Sequence, residues 1–427
     1  MLLSVIVFIA CLLIGVPIAF SLGAASIAFL VVLGGIPFEV VAQRMFNGLD
    51  SFPFMAIPFF ILAGELMNTG GITRRLVTFS ETLVGHMKGG LAHVNIITSM
   101  FFAGITGSAI ADTSAIGSML IPAMEKEGYD SDFSAAVTAS ASVMGPIIPP
   151  SIPFVIFSLL SGTSVAALFL AGVIPGVLLA AGLMLVTYII ARKRNYPKKP
   201  GLPNIRAIAR AFVPAIIPLM MPLIILGGIL GGIVTATEAS GIAVIYGLII
   251  GFLVYRNISL KQLLNIFLST AKTVGIVFLV IACSNVFNWM LTVAQVPQTI
   301  TSFVSQNFAS RALLLLAINV VLLFFGTFME GTAAMIITVP ILMQMTGIFG
   351  IPPVMLGAIV VLNLMIGLIT PPVGLCLFVA CGIAKITLEK LVKAIWPFLI
   401  VEVVVLFLVT YIDPISLFLP RLFGYIR

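Results

Sequence analysis

The sequence predicts an all-α, polytopic membrane protein built as inverted repeats around two re-entrant helical hairpins. Three observations predict it. The 427 residues are 61% hydrophobic and 8% charged, with mean hydropathy +1.26, whereas a soluble domain carries about 25% charged residues. No polar stretch approaches the ~50 residues that a soluble domain needs. Two long apolar segments are polar at their centres and read alike: GITGSAIADTSAIGSMLIPAM from Gly104 and LLFFGTFMEGTAAMIITVPILM from Leu322.

Apolar segments fall near residues 1–33, 53–69, 91–124, 134–160, 163–191, 212–232, 233–255, 273–294, 312–346, 353–384 and 394–418. One span takes about 20 residues. Residues 1–33 are long for one span and short for two, with Gly15–Pro17 as the point where they can break. They lack the basic n-region of a signal peptide and read as a retained membrane segment. Segments 91–124 and 312–346 are too long for one upright span. Each is expected to be a hairpin with a polar tip inside the protein, because irregular backbone is tolerated at membrane depth only when buried or lining a cavity.

The charges orient these elements. The formal net charge of +7 comes from clusters that set topology and does not imply nucleic-acid binding. Arg192, Lys193, Arg194, Lys198, Lys199, Arg206 and Arg210 mark a cytoplasmic linker over 192–211. The basic, amphipathic stretch 70–90 is expected along the same face, and Arg256, Lys261, Lys272, Lys385, Lys390 and Lys393 mark further cytoplasmic edges. The loops near 295–310 and 347–353 contain no lysine and read as external. The first repeat is then 1–191, with a hairpin around 91–124 and a broken span at 134–160. The second is 212–427, with a hairpin around 312–346 and a broken span at 353–384. The first hairpin enters from the cytoplasm and the second from outside, an inverted repeat.

The tips carry the residues suited to ion chemistry. Asp112 and Ser114 recur as Glu330 and Thr332, and Pro122 recurs as Pro340, all at one shared offset along the chain. GPIIPPSIPF from Gly145 recurs as GLITPPVGLC from Gly367, at a slightly larger offset. Interrupted helices at matching positions of two halves point to the ion and substrate site of a transporter. A sodium ion wants several oxygen ligands, as other hard cations do. One such site is expected from Ser108, Asp112, Thr113, Ser114 and Gly145. A second is expected from Gly326, Thr327, Met329, Gly331, Thr332, Gly367 and Thr370. Pro149, Pro150, Pro371 and Pro372 unwind the neighbouring spans.

The tip acids Asp112 and Glu330 lie within apolar segments, where a charge is expensive and functional by default. Ordering of the tip by accepting backbone N–H groups is the favoured role, with contact to a bound cation as the other. Half-helix N-termini suggest an organic anion as the substrate. Gly, Ser and Thr in membrane helices more often serve close packing, so it is the repeated order of break, acid, hydroxyl and proline that carries the reading.

Other polar residues are read more plainly. Glu65 and Glu238 are expected in interhelical hydrogen bonds or at interfaces, and Glu402 near a membrane edge or facing a partner helix. Asn285, Asn288 and Asn363 are expected to join helices. His86 and His93, the only histidines, suggest neither a metal nor a proton relay. Cys11, Cys283, Cys376 and Cys381 sit in apolar runs as packing residues. No enzyme is expected, since neither histidine lies near a promising serine nucleophile, and no cofactor beyond coupling sodium ions. A passive channel would want a continuous polar lining, and the spans offer only two polar islands.

GSAIADTSAIGSMLIPAM from Gly107, ASVMGPIIPPSIPF from Ala141, FGTFMEGTAAMI from Phe325 and GLITPPVGL from Gly367 resemble the large membrane subunit of the tripartite ATP-independent periplasmic (TRAP) transporters, over essentially the whole chain. The resemblance implies a sodium-driven importer of organic acids in the bacterial inner membrane. It also implies an elevator with a moving transport domain and a fixed scaffold. Its implied partners are a small four-helix membrane subunit and a soluble periplasmic binding protein that delivers the substrate, sialic acid first or a C4-dicarboxylate second. A dicarboxylate symporter that works alone is the alternative.

Overall fold

The computed structural model describes residues 2–34, 37–198, 204–308 and 310–426; Lys199 and the rest of 199–203 in the linker lie outside the described residues. The described residues are helical, with one isolated bridge between Lys88 and Lys198. Eight of the described helices are long and apolar enough to cross a membrane.

The helix order repeats. In the first half, α1 (Leu2–Leu13), α2 (Ile18–Leu33), α3 (Glu39–Asn47), α4 (Ala56–Thr69) and α5 (Ile72–Val84) lead to a hairpin of α6 (Gly90–Thr106) and α7 (Ala109–Lys126). A span broken into α8 (Ser131–Ser142) and α9 (Ile152–Ser161) follows, and then α10 (Val165–Lys193). In the second half, α11 (Ile205–Leu230), α12 (Ala236–Ile249), α13 (Leu260–Val293) and α14 (Val296–Asn307) lead to a hairpin of α15 (Arg311–Phe328) and α16 (Gly331–Phe349). Its broken span is α17 (Pro353–Gly367) and α18 (Leu375–Ala384), followed by α19 (Leu388–Tyr411) and α20 (Asp413–Leu422).

Residues 1–33 resolve into two helices of 12 and 16 residues, parted at Gly15 with φ +86°. Stretch 70–90 forms the amphipathic α5, which buries Ile72, Leu76 and Phe79 and starts at the left-handed Gly71. Pro122 and Pro340 do not close the hairpins: α7 continues to Lys126 and α16 to Phe349.

Packing is crossed between the halves. α9 of the first broken span lies against α16, and α18 of the second lies against α7 and α8. Farther out, α2 packs on α13, as α4 packs on α12. This is the pairing expected when two copies of one unit are related by a pseudo-two-fold axis. The broken spans are innermost, with Val354–Gly367 of α17 buried throughout. The outer helices keep one face apolar and exposed, as at Val213 and Leu223 of α11, which suits a bilayer rather than water.

The start of the linker is tied to the base of the first hairpin. Arg194 pairs with Asp130 (2.8 Å) and Asp132 (3.2 Å), the Tyr196 hydroxyl donates to Asp130 (2.6 Å), and Lys88 donates to Asn195 (2.7 Å). Tyr196 packs on Tyr129 and Phe133. Its hydrogen bond, with Arg194 behind it, holds the Asp130 carboxyl below the usual range, while burial and the same bond push Tyr196 up to about 12. A depressed carboxyl pKa contributes stability above the unfolded value that is lost as pH falls through the folded one. Tyr196→Phe should therefore lower stability at neutral pH by about 1 kcal/mol. It should also shrink the acid-induced loss that begins near 3.8, the ordinary Asp value. Thermal unfolding across pH 3–7 measures both effects.

Candidate ion and substrate site

The first tip is a tight reversal. Gly107, at φ +60°, ends α6, and Ser108 caps α7 by accepting from the Ala111 N–H. Gly at the left-handed position avoids the Cβ penalty, and a hydroxyl cap meets an otherwise orphaned N–H. The tip lies on its own broken span: a Cβ built on Gly107 would stand 3.1 Å from the Ile152 nitrogen and 3.3 Å from the Pro150 carbonyl oxygen. The Pro149–Pro150 peptide bond there is cis, as is Pro371–Pro372 in the second half.

Asp112 sits one turn into α7, fully buried. Its Oδ1 accepts from the Thr106 hydroxyl, and its Oδ2 has no hydrogen-bond partner among the described residues. That free oxygen faces the break, where a Cβ added to Gly145 would meet it at 2.4 Å. Beside it the Thr113 hydroxyl donates to Ser142 Oγ (2.7 Å), and the Cys376 thiol from α18 is in hydrogen-bonding contact with both. The C-terminal end of α8 adds partial negative charge at the break. A carboxylate oxygen, hydroxyls, the Cys376 thiol and loosened backbone thus converge at the break beside Gly145.

Thr106 and Ser142 join this cluster without being singled out by the sequence; both are hydroxyls within one turn of a break. Ser114, expected in the first ion site, lies elsewhere. Two residues beyond Asp112 on a helix that turns once in about 3.6 residues, it is exposed on the opposite face of α7. There it lines a groove of about 460 Å³ together with Ser118, Glu65, Asn68, Thr73 and Arg74.

The second tip is built differently. Glu330, exposed and not buried, is itself the N-cap of α16 and accepts from the Ala333 N–H (3.1 Å). This is the tip-ordering role expected of it, but at the surface. Thr332 is half-buried in the first turn, Met329 is buried at the tip, and the Thr327 carbonyl accepts from the Gly374 N–H (3.5 Å). Gly326 and Gly367 touch backbone to backbone: a Cβ on Gly367 would lie 2.5 Å from the Gly326 Cα. Gly331 lies against Met365, and the Thr370 hydroxyl donates to the Ile366 carbonyl (2.7 Å). Both tips therefore meet their own broken spans, but only the first brings a buried acid there.

Cap for cap, Ser108 corresponds to Glu330, at the same offset that relates Gly104 to Gly326 and Gly145 to Gly367. Matching Asp112 to Glu330 instead sets the two tips one helical turn out of register. By length α15 and α16 could each cross a membrane, yet their tip docks on the middle of the α17–α18 span.

The remaining polar residues divide between helix joints, one helix cap and one buried acid. Asn285 donates to the Gly48 carbonyl (3.4 Å), Asn288 to Ile336 (3.4 Å) and Asn363 to Asn319 (2.7 Å), all between helices as expected. Glu238 instead caps α12 in a reciprocal box with Thr235 and is exposed. Glu402, expected near an edge or facing a partner helix, is fully buried in α19, with neither carboxyl oxygen hydrogen-bonded among the described residues. No group of three or more His, Cys, Asp or Glu that could hold a metal ion occurs among the described residues.

Residues 5–415 match the family model of the tripartite ATP-independent periplasmic transporter, DctM component. The chain belongs to this family. It is 39% identical over 415 residues to the sialic acid TRAP transporter large permease protein SiaM of Vibrio cholerae, covering 96% of this chain and 96% of that one. It is 42% identical over 407 residues to the isethionate TRAP transporter permease protein DctMQ of Oleidesulfovibrio alaskensis, covering 95% of this chain and 64% of that one. The fold resembles the crystal structure of the YdaH transporter of Alcanivorax borkumensis, with a TM-score of 0.66 at 12% identity over 92% of this chain and 90% of that chain. The chain is accordingly a multi-pass membrane permease, a transporter component and not an enzyme. Large permeases of the family work with a small membrane subunit and a periplasmic binding protein.

Proposed function

We propose that this permease is a sodium-coupled symporter of the bacterial inner membrane, importing an organic acid anion handed over by a periplasmic binding protein. The observation that carries the reading is the unpartnered Oδ2 of the buried Asp112, aimed at Gly145. An isolated buried carboxylate is costly, and a nearby cation with further oxygen ligands offsets that cost. Sodium is the cation of choice because the donors around Asp112 are hydroxyls, carbonyls and one carboxylate, hard oxygens that outnumber the single Cys376 thiol beside them. The second tip supplies backbone oxygens at Thr327 and Gly367 for a second ion.

The groove beside Ser114 suits the anion. Its volume of about 460 Å³ lies within the range of small-molecule sites, and Arg74 and the first turn of α7 favour negative charge there, set against the one carboxyl group of Glu65 in the lining. On this reading the hairpins and broken spans form the moving domain of an elevator. The outer helices α1–α4 and α11–α13 form its scaffold, and residues 192–211 link the two repeats on the cytoplasmic side. Sialic acid is the first substrate and a C4-dicarboxylate the second. Relatives of comparable identity are named for sialic acid and for isethionate, so overall similarity fixes the class of substrate rather than its member.

Ser114→Ala should leave sodium activation within twofold and raise the substrate KM several-fold, because the side chain faces the groove and not Asp112. Reconstitution with the small subunit and the binding protein, assayed with a panel of labelled acids, tests the whole reading. Uptake should require an inward sodium gradient and the binding protein. Uptake without the binding protein would favour the symporter that works alone, and uptake independent of sodium would contradict coupling.

A further inference from the structure

We propose that a groove between α5 and α11 seats the headgroup of an anionic phospholipid. The groove measures about 730 Å³ and is lined by Arg74, Arg75, Arg210, Asn257, Ala211 and Pro214 among others, with no acidic residue in its lining. None of the three arginines joins an ion pair among the described residues. Topology signals need only charge near the membrane edge, whereas this groove is built. The Arg75 guanidinium lies 3.5 Å from the centroid of the Tyr255 ring and donates to the Gly71 carbonyl (2.9 Å). Tyr255 in turn donates to the Pro214 carbonyl (3.4 Å), and Asn257 donates to the Gly70 carbonyl (3.2 Å). Three elements therefore hold one guanidinium in place in the lining of the groove: the α4–α5 turn, α11, and the segment after α12.

The chemistry selects a phosphodiester. Guanidinium groups take phosphate oxygens in bidentate pairs, and basic pockets between membrane helices bind anionic headgroups. The apolar surroundings select a lipid over free phosphate. Ala207, Ala211 and Pro214 give the α11 side of the groove an apolar lining. On the other side of α11, Val213 (67% exposed), Ile216 (40%), Met220 (38%) and Leu223 (61%) form an exposed apolar row. Their spacing of three, four and three residues keeps them on one face of the helix, nearly half a turn from the groove residues, so the groove lies on a helix whose other side faces the bilayer and lipid is the phosphodiester at hand. Arg74 also borders the groove beside Ser114, so Arg210 and Ala211 are the positions to vary.

The test is native mass spectrometry of the full chain, with phosphatidylglycerol and phosphatidylcholine of matched acyl chains and with glycerol 3-phosphate as the headgroup alone. The wild type should retain phosphatidylglycerol over phosphatidylcholine. Arg210→Glu should cut that retention by about fivefold or more. Ala211→Phe, which adds bulk to the groove lining and keeps every charge, should cut it as well and serves if Arg210→Glu does not fold. Millimolar glycerol 3-phosphate should not displace the lipid. Equal retention of the two lipids, or retention unchanged in the folded variants, would overturn the proposal. Displacement by glycerol 3-phosphate as effective as by phosphatidylglycerol would overturn it in favour of a soluble phosphate ligand.

Discussion

Asp112→Asn is expected to abolish sodium activation of uptake while leaving the permease folded and inserted. The amide keeps the size of the side chain and can still accept from Thr106, so packing around the tip survives. It removes the one charge that faces the break at Gly145. Breaking a buried ion pair costs about 3–5 kcal/mol, so apparent sodium affinity should fall by roughly 10²-fold or more. Glu330→Gln is the matched control. Glu330 is exposed and acts through one hydrogen bond from the Ala333 N–H, which an amide oxygen can still accept. Its effect on sodium activation should stay within a few-fold. The two acids look equivalent in sequence, so a large difference between them separates an ion-facing carboxylate from a helix cap. Sodium-dependent uptake into proteoliposomes, with protein recovery measured in parallel, reads out both variants.

Gly367→Ala should damage the second half more than any other single methyl group in the broken spans. The added Cβ would stand 2.5 Å from both the Cα and the carbonyl carbon of Gly326. Neither is the end of a flexible side chain, so the hairpin itself must move away from its span. Overpacking of this kind costs typically about 1–3 kcal/mol and sometimes more, and here it also separates the Thr327 carbonyl from the Gly374 N–H that it accepts. Gly382→Ala, in the same broken span, meets nothing within 4 Å. On helix propensity alone it should be neutral or stabilising by up to about 1 kcal/mol. Thermal unfolding of the purified variants should place Gly367→Ala well below the wild type and Gly382→Ala at or above it.

Much of this architecture is legible because membrane helices leave few ways to explain polarity. Asp112 and the two Pro-Pro breaks stand out against apolar surroundings, and their order locates both hairpins and both broken spans. Length alone cannot divide residues 1–33, since Gly15 parts them into helices of 12 and 16 residues, each shorter than one upright span. The register of the repeat is harder to read. An acid can serve as an N-cap, as Glu330 does, or face inward one turn later, as Asp112 does once Ser108 has taken over the cap. Matching acid to acid therefore slips the alignment by a turn, whereas the Gly145–Gly367 offset already carries the register that the caps follow. Ser114 departs from its expected place because a motif records spacing along the chain, and two residues on a helix point to nearly opposite sides of it. Thr106 and Ser142 lie within the quoted segments but take no part in the repeated order of acid, hydroxyl and proline, and they gain meaning only when α6, α7 and α8 are brought together. The burial of Glu402 depends on α19 packing against α8, a long-range contact that no local pattern encodes.

The claim beneath all of this is that the first tip, through Asp112 and the break at Gly145, holds a coupling cation. Equilibrium binding of radiolabelled sodium to the purified permease, wild type beside Asp112→Asn, tests it most directly. The account predicts saturable binding that potassium does not displace, with one class of site lost in the variant. An isotherm of unchanged capacity and affinity in Asp112→Asn would contradict it.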